Sequence, residues 1–158
     1  MTRNPVTPEG YAALMEELAR LREVVRPQIV RDIEEARAHG DISENSEYED
    51  AKERQAHCEG RIREVEHRIS TAEVIDITRI PVQDRVVFGA TVTIENTDSG
   101  ETRTWRIVGE DEASVEKAMI SYKSPLGAAL IGRRTGEEAV VPAPGGRQTW
   151  EILEVEYR

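Results

Sequence analysis

Residues 48–72 read YEDAKERQAHCEGRIREVEHRISTA, and apolar side chains recur along them at alternating steps of three and four residues. The members of this stripe are Tyr48, Ala51, Cys58, Ile62, Val65, Ile69 and Ala72, with Gln55 as the one polar interruption. Steps of three and four place every member on one face of an α-helix, which is the pattern of a coiled-coil seam. The stretch therefore predicts one long helix that packs its seam against a second helix.

The preceding residues supply that second helix. Thr7, Pro8 and Glu9 form a helix start, with a hydroxyl cap, a proline at the first helical position and an acid at the positive end of the helix dipole. The apolar seam that follows contains Tyr11, Leu14, Leu18, Leu21 and Val25, and after Pro27 it contains Ile29, Ile33 and Ala36. We expect a kink or a slip of register at Pro27, and Gly40 ends the helix. A short polar turn at residues 39–43 then predicts an antiparallel hairpin with one exposed tip.

The second half of the chain has a different pattern. It is rich in Val, Ile, Thr, Gly and Pro and alternates with a period of two, which predicts strands at residues 85–88, 90–95, 102–108, 139–141 and 149–155. Ser124 and Pro125 begin a short capped helix. The predicted fold class is α+β: an N-terminal antiparallel α-helical coiled-coil hairpin over residues 1–78, then a small, mostly antiparallel β-sheet domain with short helices over residues 79–158.

Composition excludes several functional classes. The chain has 158 residues and a formal net charge of −10, which argues against tight non-specific binding to duplex DNA. There is no apolar run long enough for a membrane helix, no signal-peptide core and a single cysteine, Cys58, so we expect a cytoplasmic protein without disulfides. The sequence also lacks a glycine-rich phosphate loop, a serine protease-type triad and a CxxC pair, which argues against a catalytic centre of its own.

Acidic residues are concentrated at the predicted tip, where six of the thirteen residues from Asp41 to Glu53 are acidic. Two interpretations of Asp41 and Glu44 are open. Asp41 could cap the second helix, with Glu44 closing a capping-box-like pair. Alternatively, the two carboxylates could be ligands for a hard cation such as Mg²⁺, which is usually held by one or two carboxylates together with groups from a substrate. Two acids alone bind Mg²⁺ weakly, so another molecule would have to complete such a site.

Basic residues flank the acidic tip. They are Arg31, Arg37, Lys52, Arg54, Arg61 and Arg63. They could contact a phosphate backbone, or they could be ordinary helix-face partners of neighbouring glutamates, and the second interpretation is the commoner outcome on helices.

The tip sequence ARAHGDISENSEY at residues 36–48 resembles the signature of the GreA/GreB family of bacterial transcript cleavage factors. Other segments that look like the family are CEGRI at 58–62, AEVID at 72–76, VFGATV at 87–92, RIVG at 106–109, PGG at 144–146 and VEY at 155–157. The resemblance covers nearly the whole chain. It implies that the second domain is FKBP-like and that the coiled coil enters the secondary channel of bacterial RNA polymerase.

The resemblance also implies roles for individual residues. Asp41 and Glu44 would help to hold the second Mg²⁺ of the polymerase active centre and to position the attacking water, which stimulates cleavage of the 3′ end of backtracked RNA and releases arrested complexes. The protein would not be an enzyme itself and would hold no cofactor stably alone, because it shares the Mg²⁺ with the polymerase. Arg37 and Lys52 match the small basic spot that the family uses near the RNA 3′ end.

A docking surface is implied in the second domain. Its candidate residues, on the rim of the polymerase channel, are Ile120, Ser121, Ser124, Pro125 and Leu126. The expected partners are RNA polymerase and the nascent RNA 3′ end, with no membrane and no small-molecule substrate. The alternatives are a channel-binding regulator without cleavage activity, a coiled-coil scaffold or chaperone whose tip acids only cap a helix, and a peptidyl-prolyl isomerase. The scarcity of aromatic residues in the second half argues against the isomerase.

Overall fold

The computed structural model describes residues 3–40 and 45–158, and these divide into two units. One unit contains Tyr11–Ala72, and the other contains Arg3–Gly10 together with Glu73–Arg158. The first described segment of the chain therefore belongs with its second half. Within that segment, strand β1 (Asn4–Val6) pairs with strand β2 (Ala72–Val74) in a two-stranded sheet.

The first helical arm runs through three consecutive segments, α1 (Pro8–Arg20), a π-helical turn (Leu21–Val25) and α2 (Arg26–Arg37). In the π-turn, the N–H of Arg26 donates to the carbonyl of Leu21 five residues back, so the turn accommodates one extra residue. The expected slip of register is therefore present, and it lies just before Pro27. Proline has no N–H to donate to a helical hydrogen bond. A change in the hydrogen-bond spacing next to Pro27 therefore costs few hydrogen bonds.

The second arm is the single helix α3 (Ser46–Thr71), and its seam packs against the seam of the first arm. The buried side chains of this core are Leu14, Leu18, Leu21, Ile29, Ile33, Ala51, Cys58, Ile62 and Val65. The predicted helical hairpin is thus confirmed. Among the described residues, no helix has both the length and the hydrophobicity that a membrane span requires.

Ion pairs across the two arms show that they are antiparallel. The pairs are Glu17–Arg61 at 2.6 Å, Arg22–Glu66 at 3.1 Å, Arg26–Glu59 at 2.8 Å and Asp32–Arg54 at 3.0 Å. From Arg22 to Asp32 on the first arm, the partners on α3 run backward along the chain from Glu66 to Arg54, as an antiparallel hairpin requires. The long side chains bridge the rim of the seam while the apolar residues fill its centre.

The second unit is built on a five-stranded sheet in the order β5-β4-β3-β7-β6. Its strands are β3 (Thr91–Asn96), β4 (Thr102–Val108), β5 (Met119–Ser121), β6 (Glu138–Ala143) and β7 (Gly146–Glu156). All neighbours are antiparallel except β4 and β5, which are parallel. The short helix α4 (Pro125–Leu130) packs Leu126, Ala129 and Leu130 on the sheet core.

Two local predictions for this unit differ from the structure. The strand expected at residues 85–88 is absent: Val86 instead exchanges hydrogen bonds with the loop at Gly132 and Arg133, at 2.9 and 2.8 Å. Conversely, β5 was not expected, because three residues are too few to display alternation. Both differences arise from pairing between segments that are far apart in the chain.

Candidate functional site at the hairpin tip

The two arms are connected by residues 38–45, between the end of α2 and the start of α3. The first arm closes with hydrogen bonds from the N–H of His39 to the carbonyl of Ala36 (3.2 Å) and from the N–H of Gly40 to the carbonyl of Arg37 (3.3 Å). Gly40 has a φ of +101°, a left-handed conformation that favours glycine and that ends the helix as the sequence predicted. Asp41, Ile42, Ser43 and Glu44 lie outside the described residues, so the predicted roles of Asp41 and Glu44 stay predictions.

Asn45 is the N-cap of α3. Its Oδ1 accepts hydrogen bonds from the N–H groups of Glu47 (3.0 Å) and Tyr48 (3.2 Å), and its Nδ2 donates to the carbonyl of Ala36 at 2.7 Å. The interpretation that Asp41 caps this helix is therefore wrong. An amide can accept from the helix and donate across to the other arm at the same time, whereas a carboxylate can only accept.

Arg37 and Lys52, the predicted RNA-contacting pair, both have exposed side chains. The Arg37 guanidinium lies 5.8 Å from the ring centroid of Tyr48, in a cation–π contact that spans the two arms. Lys52 Nζ donates to Gln55 Oε1 at 3.0 Å. Neither residue forms an ion pair with another described residue.

Other basic residues near the tip are engaged with acids. Arg54 contacts Asp32 at 3.0 Å and Asp50 at 3.2 Å, and its hydrogen bond lowers the pKa of the Asp32 carboxyl. Arg61 forms two hydrogen bonds with Glu17, and these raise the pKa of the guanidinium. For these two arginines, the helix-partner interpretation is confirmed.

The predicted docking residues lie together on β5 and the start of α4. Ser124 Oγ accepts from the N–H of Gly127 at 3.0 Å and donates to the carbonyl of Ser121 at 2.7 Å, so it caps α4 and closes the preceding turn. A Cβ at Gly127 would lie 2.2 Å from the Ser121 carbonyl oxygen, so this close approach requires glycine. Ile120 and Leu126 are partly buried against the core, while Pro125 is exposed. Their arrangement presents Pro125 and the adjoining turn to solvent.

Two family models match the chain. The model described as "Transcription elongation factor, N-terminal" matches residues 4–74, and the model described as "Transcription elongation factor, GreA/GreB, C-term" matches residues 81–157. The "Transcription elongation factor GreA" of Anaeromyxobacter sp. (strain K) is 54% identical over 99% of this chain and 94% of its own length. The protein of the same name from Halorhodospira halophila is 50% identical over 99% of both chains. This chain belongs to the GreA/GreB family of transcription elongation factors.

The GreA/GreB chain is also similar to the crystal structure of GreA factor homolog 1 of Thermus thermophilus. The two are 28% identical, the match covers 98% of this chain and 99% of the other, and the TM-score is 0.44. The helical hairpin and the sheet domain fit the coiled-coil and FKBP-like parts that the resemblance implied.

In residues 3–40 and 45–158 of this GreA/GreB chain, no three His, Cys, Asp or Glu side chains are grouped so that they could hold a metal ion. Sequence reasoning missed Asn45, although its amide precedes the helix directly and asparagine is among the preferred N-cap residues.

Proposed function

We propose that this chain inserts its hairpin into the secondary channel of RNA polymerase and stimulates the polymerase's own cleavage of the 3′ end of backtracked RNA. In this proposal the protein is a cofactor of the polymerase, and the catalytic centre belongs to the polymerase. The observation that supports this proposal is how the two arms end on either side of Asp41 and Glu44. Gly40 ends the first arm before them, and Asn45 caps α3 after them.

The Asn45 cap bears on the role of Asp41 and Glu44, because α3 has its N-cap without them. One Asn45 amide satisfies two N–H groups of α3 and ties the start of α3 to the end of α2. Asp41 and Glu44 are then not needed to cap that helix. We infer that they are ligands offered to a partner.

Carboxylate oxygens are the donors that Mg²⁺ prefers, so Asp41 and Glu44 fit this ion and would hold it jointly with the polymerase. The ion, when bound, would activate water and neutralise charge on the phosphate. Asp41 and Glu44 would orient that water, and Arg37 and Lys52 would hold the RNA phosphates near the 3′ end by charge. Tyr48 restrains Arg37 through the cation–π contact and so limits the positions of its guanidinium.

The second unit would dock on the channel rim through the segment from Ile120 to Leu126. The support for this assignment is the rigid turn between β5 and α4, in which Ser124 and Gly127 lock the backbone and present Pro125 outward. A preorganised surface of this kind loses little conformational freedom on binding.

The deciding experiment measures RNA cleavage in stalled, backtracked RNA polymerase complexes with Mg²⁺. We expect short 3′ fragments with the unaltered protein and a loss of at least about tenfold in rate with Asp41→Asn or Glu44→Gln, because each removes a metal-binding carboxylate. Glu49→Gln is the matched control: it removes an exposed charge from the first turn of α3 and should leave the cleavage rate within about twofold.

A competition assay for polymerase binding completes the experiment. Both tip variants should bind as the unaltered protein does, which separates chemistry from docking. Binding without any cleavage by the unaltered protein would instead indicate a channel-occupying regulator. Absence of binding would overturn the proposal and favour a scaffold or chaperone.

A further inference from the structure

A second group of cations lies on the β-sheet of the unit that contains residues 73–158. There, a cavity of about 490 Å³ is lined by Thr91, Thr104, Arg106, Lys117, Ala118 and Arg158. Three of these residues are cationic and two carry hydroxyl groups. The volume falls in the range that small ligands occupy in proteins, and the three cations lie together although the net charge of the chain is −10.

Arg106 has unused hydrogen-bonding capacity. Its side chain is only 24% exposed, and Nη2 makes one long contact of 3.4 Å with Glu9 Oε2. Its Nε is buried without a hydrogen-bond partner in the part of the chain that the structure describes. A guanidinium has five N–H donors in a planar fork that matches oxyanions. An anion in the cavity would therefore meet the Nη groups of a guanidinium whose side-chain contact with Glu9 is long.

Lys117 is held at the cavity by a strained turn. Ala118, the next residue, has a φ of +57°, and it is the one non-glycine residue with positive φ among those described. The turn is closed by two hydrogen bonds of 2.9 Å between Ser114 and Met119, and the Ala118 carbonyl accepts from the N–H of Arg106 at 2.9 Å. Strain of this kind persists where surrounding contacts hold it, and it is concentrated at functional sites. Here it holds Lys117 on the lining of the cavity that Arg106 also lines.

The charges around the cavity favour a multivalent anion. Glu9 contacts Arg106, and Glu156 contacts Arg158 at 3.0 Å, while the Lys117 ammonium has no partner among the described residues. Ion pairs as exposed as these are weak, so a ligand with two or more negative charges can compete for the arginines.

We propose that this cavity binds a small phosphate-type anion, either inorganic phosphate or inorganic pyrophosphate. The guanidinium of Arg106, the ammonium of Lys117 and the hydroxyls of Thr91 and Thr104 are the donor types that phosphate oxygens accept from. The described residues that line the cavity include no aromatic ring that could stack a base, so the phosphate group itself is the recognised element.

The test is a titration of the full-length, ¹⁵N-labelled protein with each anion at constant ionic strength, followed by amide NMR. We expect saturable shifts at Thr91, Thr104, Arg106 and Ala118, with pyrophosphate binding more tightly than phosphate because it has more negative charge. Lys117→Gln should raise the dissociation constant roughly tenfold, as the loss of one charge-assisted hydrogen bond does. The Lys117 side chain is exposed, so this variant should keep the fold.

Lys123→Gln is the matched control. It removes the same charge from the same unit, but Lys123 pairs with Glu110 at 2.7 Å and does not line the cavity. The dissociation constant of each anion should be the same for Lys123→Gln as for the unaltered protein. Absence of saturable shifts, equal weakening by both lysine variants, or equal binding of chloride would overturn the proposal. The test contains no polymerase, so its result is independent of the cleavage function.

Discussion

At the scale of single residues, Asn45 joins the two helical arms. Its amide accepts two hydrogen bonds from the first turn of α3 and donates one to the last buried residue of α2, Ala36. The same side chain therefore starts one helix and restrains the end of the other. Oδ1 is the acceptor and Nδ2 is the donor, so substitutions of Asn45 can test the two roles separately.

Asn45→Ala should destabilise the hairpin by about 1–2 kcal/mol, the usual cost of losing an N-cap. Asn45→Asp should cost less, because the carboxylate still accepts from Glu47 and Tyr48 and loses only the donation to Ala36. The measurement is urea unfolding followed by circular dichroism at 222 nm. Ser46→Ala, an exposed neighbour, is the control and should shift stability by less than about 0.5 kcal/mol. Equal stability of Asn45→Ala and the unaltered protein would contradict the assignment of the cap.

At the scale of secondary structure elements, the two arms are held by an apolar seam and by charged pairs along its edges. Glu17 accepts two hydrogen bonds from Arg61, and this pair lowers the pKa of the Glu17 carboxyl. A carboxyl with a depressed pKa in the folded state stabilises that state above its unfolded pKa. The contribution is lost as the pH falls through the folded pKa. Because both side chains are about one-third exposed, the energy is small.

Glu17→Gln should therefore lower hairpin stability at pH 7 by no more than about 1 kcal/mol. The difference from the unaltered protein should shrink as the pH falls below the ordinary glutamate pKa of about 4.3, and it should vanish only below the depressed folded-state pKa, where the Glu17 carboxyl is protonated in both states. Urea midpoints of the helical signal at pH 7 and pH 3.5 provide the measurement, with Glu16→Gln as an exposed neighbouring control. A difference that persists unchanged at pH 3.5 would show that the effect is not electrostatic.

At the scale of the whole molecule, the first described residues belong to the unit formed by the second half of the chain. Glu112 makes this connection: its carboxylate accepts from the N–H and hydroxyl of Thr7, and also from the N–H of Gly109 at 3.0 Å. Thr7 in turn accepts from the N–H of Gly10 and so caps α1. One carboxylate thus links the start of the first helix to residues 105 positions later in the chain.

Glu112→Gln should weaken this connection, because the amide offers one acceptor and one donor where the site presents three donors. We expect faster hydrogen exchange at residues 4–10 and a loss of about 1–3 kcal/mol in the stability of the second unit. Glu116→Gln, an exposed acid in the same unit, should leave exchange unchanged. Unaltered exchange in Glu112→Gln would mean that β1 pairing alone holds the segment.

The sequence by itself determined the helical hairpin, its apolar seam and the tip motif, because a period of three and four residues and a left-handed Gly40 are local properties of the chain. Most strands of the sheet were also evident from local alternation. The tertiary structure alone decided the parallel pairing of β5, the loop at Val86 and the link from Thr7 to Glu112. Each of these depends on partners that are distant in sequence, and the same is true of the cations that meet at Arg106. Periodicity in the sequence indicates which face of a helix or strand is buried. The group of cations at Arg106 comes from separate elements, so it forms only when those elements pack together.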